Sequence, residues 1–227
     1  MRVSFLLVTA LLAVAQPAED DILARISING ESGRTARRLI AVDKLLEDKK
    51  WPEAIDELQR ILSEAGDDLV PVDNRHCMEA RRLCHVRLAA LPPDALRLYR
   101  GRVDSQAKKW LDEGSATRDA TLLRRLVDET FCSRFTEQAL DLLGDLAFER
   151  GAFAEAEHWW QMLARPASYG ASPMAGRDLL VYPDPHLDIA QVRAKELMAP
   201  LLLGELAAFQ HELPAFQAKH GAASGHL

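Results

Sequence analysis

An excess of basic residues, strand-like alternation and long apolar runs are all missing from this sequence. Its 227 residues hold 28 lysines and arginines against 34 aspartates and glutamates, a formal charge of −6. That balance excludes a general nucleic-acid binder, whose surface must neutralise phosphates. Glycine (12) and proline (11) are sparse, and aromatics make up 6%. No stretch alternates apolar and polar residues with the Val, Ile, Thr and Tyr content of a strand. Apolar residues recur instead at three- and four-residue intervals, which predicts amphipathic helices throughout. No segment reaches the roughly 20 apolar residues of a membrane span.

Motifs of catalysis and cofactor binding are missing too. No Walker or dinucleotide glycine pattern occurs. Gly170-Ala171-Ser172 begins like a nucleophile elbow, but Met174 stands where its second glycine belongs. His211-Glu212 opens like a zinc-protease helix, but Ala215 takes the place of the second histidine. His76-Cys77 and Cys84-His85 invite a metal. Read as parts of one helix, the pairs lie two turns apart, with His76 and His85 on roughly opposite sides. Structural zinc uses closer pairs. Cys84-His85 also lacks the upstream cysteine of a c-type haem site. The expectation is therefore a non-enzyme with no catalytic residue, no metal and no cofactor.

The amino terminus reads as a leader. Arg2 gives a positive start, Val3 to Leu12 is uncharged and apolar, and Ala13-Val14-Ala15 is a small-x-small cleavage site before Gln16-Pro17. This pattern predicts a secretory signal peptide over residues 1–15 and an exported, periplasmic or envelope protein whose contact with the membrane is export itself. Export bears on the three cysteines, Cys77, Cys84 and Cys132. An odd count leaves one unpaired in an oxidising compartment. On a shared helix Cys77 and Cys84 would stand roughly 10.5 Å apart along the axis, too far for a disulfide. All three are expected as small buried apolar residues.

A polar stretch with Asn29-Gly30 and Ser32-Gly33 predicts a linker over 16–33. The helical domain is expected over 34–220, with a tail at 221–227. Helices are predicted at 35–49, 52–64, 74–90, 93–113, 119–131, 137–150, 153–164, 186–203 and 205–219. Pro52 and Pro93 suit first turns, where a missing N–H costs nothing. Asp184-Pro185 is a start signal of the same kind. Gly114 and Gly151 sit where helices should stop. The segment 165–185, with its prolines, glycines, Tyr169 and Tyr182, reads as a long loop.

The strongest pattern lies between Leu140 and Pro166. Leu140, Leu143, Gly144, Ala147 and Phe148 share one helical face. Gly151 breaks the chain, and Phe153, Ala156, Trp160 and Leu163 form the next inner face. Small Gly144 and Ala156 would let two helices approach, with Phe148, Phe153 and Trp160 filling the space around them. This order resembles a tetratricopeptide repeat, with Ala147 where tyrosine is usual. Trp51-Pro52-Glu53-Ala54 aligns with Phe153-Ala154-Glu155-Ala156, and Leu58 and Ile61 match Trp160 and Leu163. A third, degenerate copy spans Ile189 to Gly221, with Leu206, Phe209, Leu213 and Phe216 on its second helix and Pro214 expected to kink or shorten it. Trp51, Phe148, Phe153, Trp159 and Trp160 are read as core. The resemblance implies an all-α, right-handed solenoid of degenerate helix pairs, whose concave face binds protein or peptide.

A closer resemblance rests on Trp51 to Leu62, Gly66 to Asp73, Leu91 to Tyr99 and Leu140 to Trp160. These segments resemble the N-terminal helical module that precedes a PQQ-binding-like β-propeller in large exported bacterial proteins. That resemblance implies an interaction or scaffold module; no cofactor-binding position is carried over, since those belong to the propeller.

Charge is uneven along the chain. Residues 41–70 carry nine acids against four bases, and residues 75–110 carry nine bases against three acids. Two readings stand: neighbouring units with complementary flanks, or a basic groove for an acidic partner. In the second reading Arg81, Arg82, Arg97, Arg100 and Arg102 are partner-binding residues, with Tyr169 and Tyr182 from the long loop. The alternative function is an accessory subunit or an all-α enzyme with its site near 165–185.

Overall fold

A computed structural model describes residues 30–73, 76–164 and 180–221. Among these, nine helices and one short hairpin are formed: α1 Gly30–Glu47, α2 Trp51–Ala65, β1 Leu69–Pro71, β2 Cys77–Glu79, α3 Ala80–Ala89, α4 Pro93–Thr117, α5 Ala120–Thr130, α6 Thr136–Glu149, α7 Phe153–Gln161, α8 Ile189–Leu203 and α9 Leu206–His220. The expected leader, most of the long loop and the tail from 222 lie outside the described residues, Tyr169 among them.

The helices form where the apolar period demands them. On α2, Ala54, Ile55, Leu58, Ile61 and Leu62 recur at helical spacing and are all buried. Pro52 lies in its first turn. Asp119 caps α5, its Oδ1 accepting from Thr121 N at 2.8 Å. Gly151, at φ 79°, turns the chain between α6 and α7.

Most helices pack chiefly on the next one in the chain, and α2 and α4 also touch α4 and α6 respectively. One cluster of buried residues runs from Leu39 through Tyr99, Phe131 and Leu143 to Val192. At α6–α7 a β-carbon added to Gly144 would meet the Trp160 indole at 2.2 Å. Ala156 of α7 is also fully buried. Phe148 stands 5.1 Å from Phe153 and 5.8 Å from Trp160 between ring centroids. Trp51, Phe148 and Trp159 are partly buried against the core.

Several expectations need correction. The linker is shorter, because Gly30–Gly33 already belong to α1. The helix expected from 74 begins at Ala80, after an antiparallel hairpin pairing Leu69 with Glu79, Val70 with Met78 and Pro71 with Cys77. Three-residue strands are too short for alternation to show. Cys77 therefore shares no helix with Cys84 and is exposed, whereas Cys84 and Cys132 are buried. Helix α4 runs past Gly114, where an added β-carbon would meet the Leu123 side chain at 3.0 Å, and ends at Thr117 with Arg118 as its left-handed cap at φ 54°. Helix α8 starts at Ile189, capped by Asp188, whose Oδ1 accepts from Ala190 N at 2.9 Å; Asp184 has another task. Helix α9 continues through Pro214, which is exposed and so leaves no buried acceptor behind.

Candidate functional site

Helix α4 carries three of the singled-out arginines, and its helical period separates them. Arg97 and Arg100 line one cleft; Arg102 lines another, on a different face of the helix.

Arg100 is the most enclosed of them, at 6% exposure. Its Nε donates to Cys132 O at 3.0 Å, its Nη1 to Asp184 Oδ2 at 2.8 Å and its Nη2 to the Tyr182 hydroxyl at 3.1 Å. A second bond from Nη2 to Asp184 makes the pair bidentate. Tyr182, 2% exposed, donates its hydroxyl hydrogen bond to Ser133 O at 2.9 Å, and its backbone N–H donates to Met162 O at 2.7 Å. Burial pushes the Tyr182 phenol well up from its ordinary value, so it stays a donor. Buried Glu137 of α6 accepts from His186 N at 2.6 Å and Leu187 N at 3.3 Å. These bonds hold the stretch before α8 against α4 and the α5–α6 turn.

The first cleft, of about 490 Å³, lies where that stretch meets the α3–α4 corner. Ala89, Leu91, Pro93, Leu96 and Pro183 give it an apolar side. Arg97, Arg100 and Arg134, with Asp184 and His186, give it a polar side. Arg97 pairs with exposed Asp94, and Arg134 Nε lies 3.3 Å from Asp104. Each guanidinium already has a carboxylate partner, but Arg97 and Arg134 are largely exposed, and an anionic group held beside the apolar side could take the place of exposed Asp94 on Arg97.

The second cleft, of about 480 Å³, lies between α2 and α4. Gln59, Leu62 and Ser63 of α2 line it together with Tyr99, Arg102, Val103, Gln106 and Trp110 of α4, and Arg81, Glu129 and Thr130 complete the lining. Arg102 bonds Asp56 and, at 3.0 Å, Gln59 Oε1. Arg81 bonds Asp67 Oδ1 at 3.0 Å and Asp128 O at 3.2 Å.

The expected single basic groove is thus two clefts. Arg97 and Arg100 belong to the first, Arg81 and Arg102 to the second, and Arg82 lines neither. Tyr182 and most of Arg100 are interior groups of the fold and not a displayed surface. Reasoning from sequence missed Arg134, Asp184 and His186. Nothing local signals them, because Arg100 and Asp184 meet across 84 positions of the chain.

Among the described residues no group of three or more His, Cys, Asp or Glu side chains is placed to hold a metal. His76 faces Asp73, with Nδ1 2.9 Å from Oδ2, and His85 is buried with Nε2 2.8 Å from Asp128 O. No helix among the described residues is long and apolar enough to cross a membrane. No family model matches the chain, and no curated protein or solved structure matches it.

Proposed function

We propose that this chain is a protein-interaction module of the exported bacterial envelope, and that the Arg97–Arg100–Arg134 cleft receives an acidic segment of a partner protein. The observation that carries this is the gathering of three guanidiniums beside an apolar wall, on a chain of net charge −6. Such a cleft complements a carboxylate flanked by apolar side chains and repels basic partners.

The finer fold reading belongs to the same proposal. The helices are tetratricopeptide-like pairs in a right-handed solenoid. Support comes from neighbour-to-neighbour packing and from the close Gly144–Trp160 approach. The leader-like residues 1–15 support export to the periplasm. The segments resembling the propeller-linked group support a place ahead of a PQQ-binding-like β-propeller.

A second reading, an accessory subunit or enzyme with a site near 165–185, draws on Asp184 and His186, which bring that segment's end to the cleft. The two readings separate in one titration. A capped peptide of alternating glutamate and leucine is titrated into the full chain at low and high salt. The interaction reading expects saturable binding that weakens with salt. Replacing Arg97 and Arg134, both largely exposed, by alanine should weaken it about tenfold. Absence of binding, or indifference to both arginines, overturns it.

A further inference from the structure

The junction of α7, α8 and α9 gathers several acids around one interior base. Arg193 of α8 is 7% exposed and divides its guanidinium between two carboxylates. Its Nη1 donates to Glu196 of the same helix, itself 5% exposed, and its Nη2 to Glu212 of α9 at 2.9 Å. Half-buried Glu157 of α7 and Glu205 at the start of α9 add like charge to this pair. The other cations nearby lie at the edge. His211 Nδ1 is 3.6 Å from Glu212 Oε1 and 72% exposed. Lys219 and His220 line, with Arg193, a small cavity of about 150 Å³ where α9 meets α8. Lys195 of α8 is engaged by Asp141 and Asp145 of α6.

Helix α9 is held more lightly than the others. It packs chiefly on α8, and among the described residues it is the one helix with no buried side chain. Few buried contacts mean a low cost of local opening. Gly204, at φ 78°, joins α8 to α9, and a β-carbon added there would meet nothing within 4 Å. The chain has room to pivot at that point. We infer that α9 is a pH-dependent strap, closed on α8 in mildly acid solution and loosened above neutrality by repulsion among Glu157, Glu196, Glu205 and Glu212.

The direction follows from where the proton sits. Burial, and after it the charges of Glu157 and Glu212, raise the Glu196 carboxyl from 4.5 to about 7, against the pull of Arg193. Lifting α9 removes Glu212 and lets water reach the cluster, so the carboxyl returns toward its ordinary value. The proton therefore favours the closed strap. That contribution is whole below 4.5 and is lost as pH rises through about 7. Opening bares the inner side of α9, where Phe209, Leu213 and Phe216 are half-buried, and adds it to Leu201, Leu202, Leu203 and Leu206, already exposed around the turn.

The test is amide hydrogen exchange of the full chain between about pH 5 and about pH 8, corrected for the intrinsic rate at each pH, with α6 as the reference helix. Protection of α9 is expected to fall about tenfold or more over that range and to level off above about pH 7. It should stay below that of α6 throughout, which marks a local opening and not unfolding of the whole chain. Glu196→Gln, which keeps the shape of the protonated acid, should hold α9 protection flat and high. His211→Asn with His220→Asn should keep the fall. Glu157→Gln, at a position not bonded to Arg193, should raise α9 protection at the alkaline end, and it decides the matter if Glu196→Gln does not fold. Protection of α9 that equals that of α6, is constant or rises with pH, a fall that survives Glu196→Gln or vanishes in the histidine variant, or indifference to Glu157→Gln overturns the inference.

Discussion

Gly144 and Trp160 meet so closely that a β-carbon on the glycine would lie 2.2 Å from the indole Nε1. Trp160 is 1% exposed and held by Phe148 at 5.8 Å, so it cannot swing aside. Gly144→Ala is therefore expected to cost about 1–3 kcal/mol through overpacking. Urea unfolding followed by tryptophan fluorescence measures it. An unchanged midpoint would mean that α6 and α7 can separate freely.

Arg100 and Arg97 lie one turn apart yet should differ in weight. Arg97 is an exposed partner of Asp94, worth about 0–1 kcal/mol. Arg100 is buried and ties Cys132 O, Tyr182 and Asp184 together. Its loss approaches the roughly 3–5 kcal/mol of a broken buried pair, reduced because Asp184 is 45% exposed. Thermal melts of Arg100→Ala and Arg97→Ala should separate clearly. Equal melting temperatures would show that the stretch before α8 is held by other contacts.

Two buried groups oppose each other as pH changes. Burial raises the Glu196 carboxyl from 4.5 to about 7, against the pull of Arg193, with Glu157 and Glu212 adding to the rise. Its proton is held better in the fold, so this stability is full below 4.5 and is lost as pH rises through 7. Burial lowers the His85 imidazole from 6.5 to about 4, against its hydrogen bond to the Asp128 carbonyl. That stability is present above 6.5 and is lost as pH falls through 4. The two slopes offset each other between 4.5 and 6.5. Glu196→Gln should leave stability that drops on acidification over that range, and His85→Gln stability that rises. Each change is up to about 3 kcal/mol. Parallel profiles in the two variants would refute the assignment.

The thiols should divide by burial. Cys77 is exposed on β2, while Cys84 and Cys132 are buried and desolvation pushes both thiols up, Cys84 to about 12. A thiol reagent should modify Cys77 within minutes in the native protein and the other two only on unfolding. Mass spectrometry of the labelled chain reads this directly. Rapid native labelling of Cys84 would mean that α3 opens readily.

The helical elements were legible because each is written in consecutive residues. The expected and observed spans of α2, α6 and α9 differ by a few residues at most. The hairpin was not legible, since Val70 is the one buried side chain on its two strands and shows no period. Gly114 read as a stop because glycine often ends helices. In the fold its missing side chain makes room for Leu123, a neighbour from the next helix.

The candidate site was legible only as a count of arginines. Composition and spacing gave the basic stretch on α3 and α4, but Arg100 and Arg102 point to different clefts through their helical phase. Arg134, Asp184 and His186 join the first cleft through contacts that span many residues of chain.

By itself, the sequence determined the helices, their order and the small-against-large contact at Gly144 and Trp160, because periodicity and residue size act between near neighbours. Tertiary structure alone decided which arginines are buried, which acids they meet and how the two clefts divide. Those depend on how helices far apart in the chain are brought together, and no local pattern of residues encodes that distance.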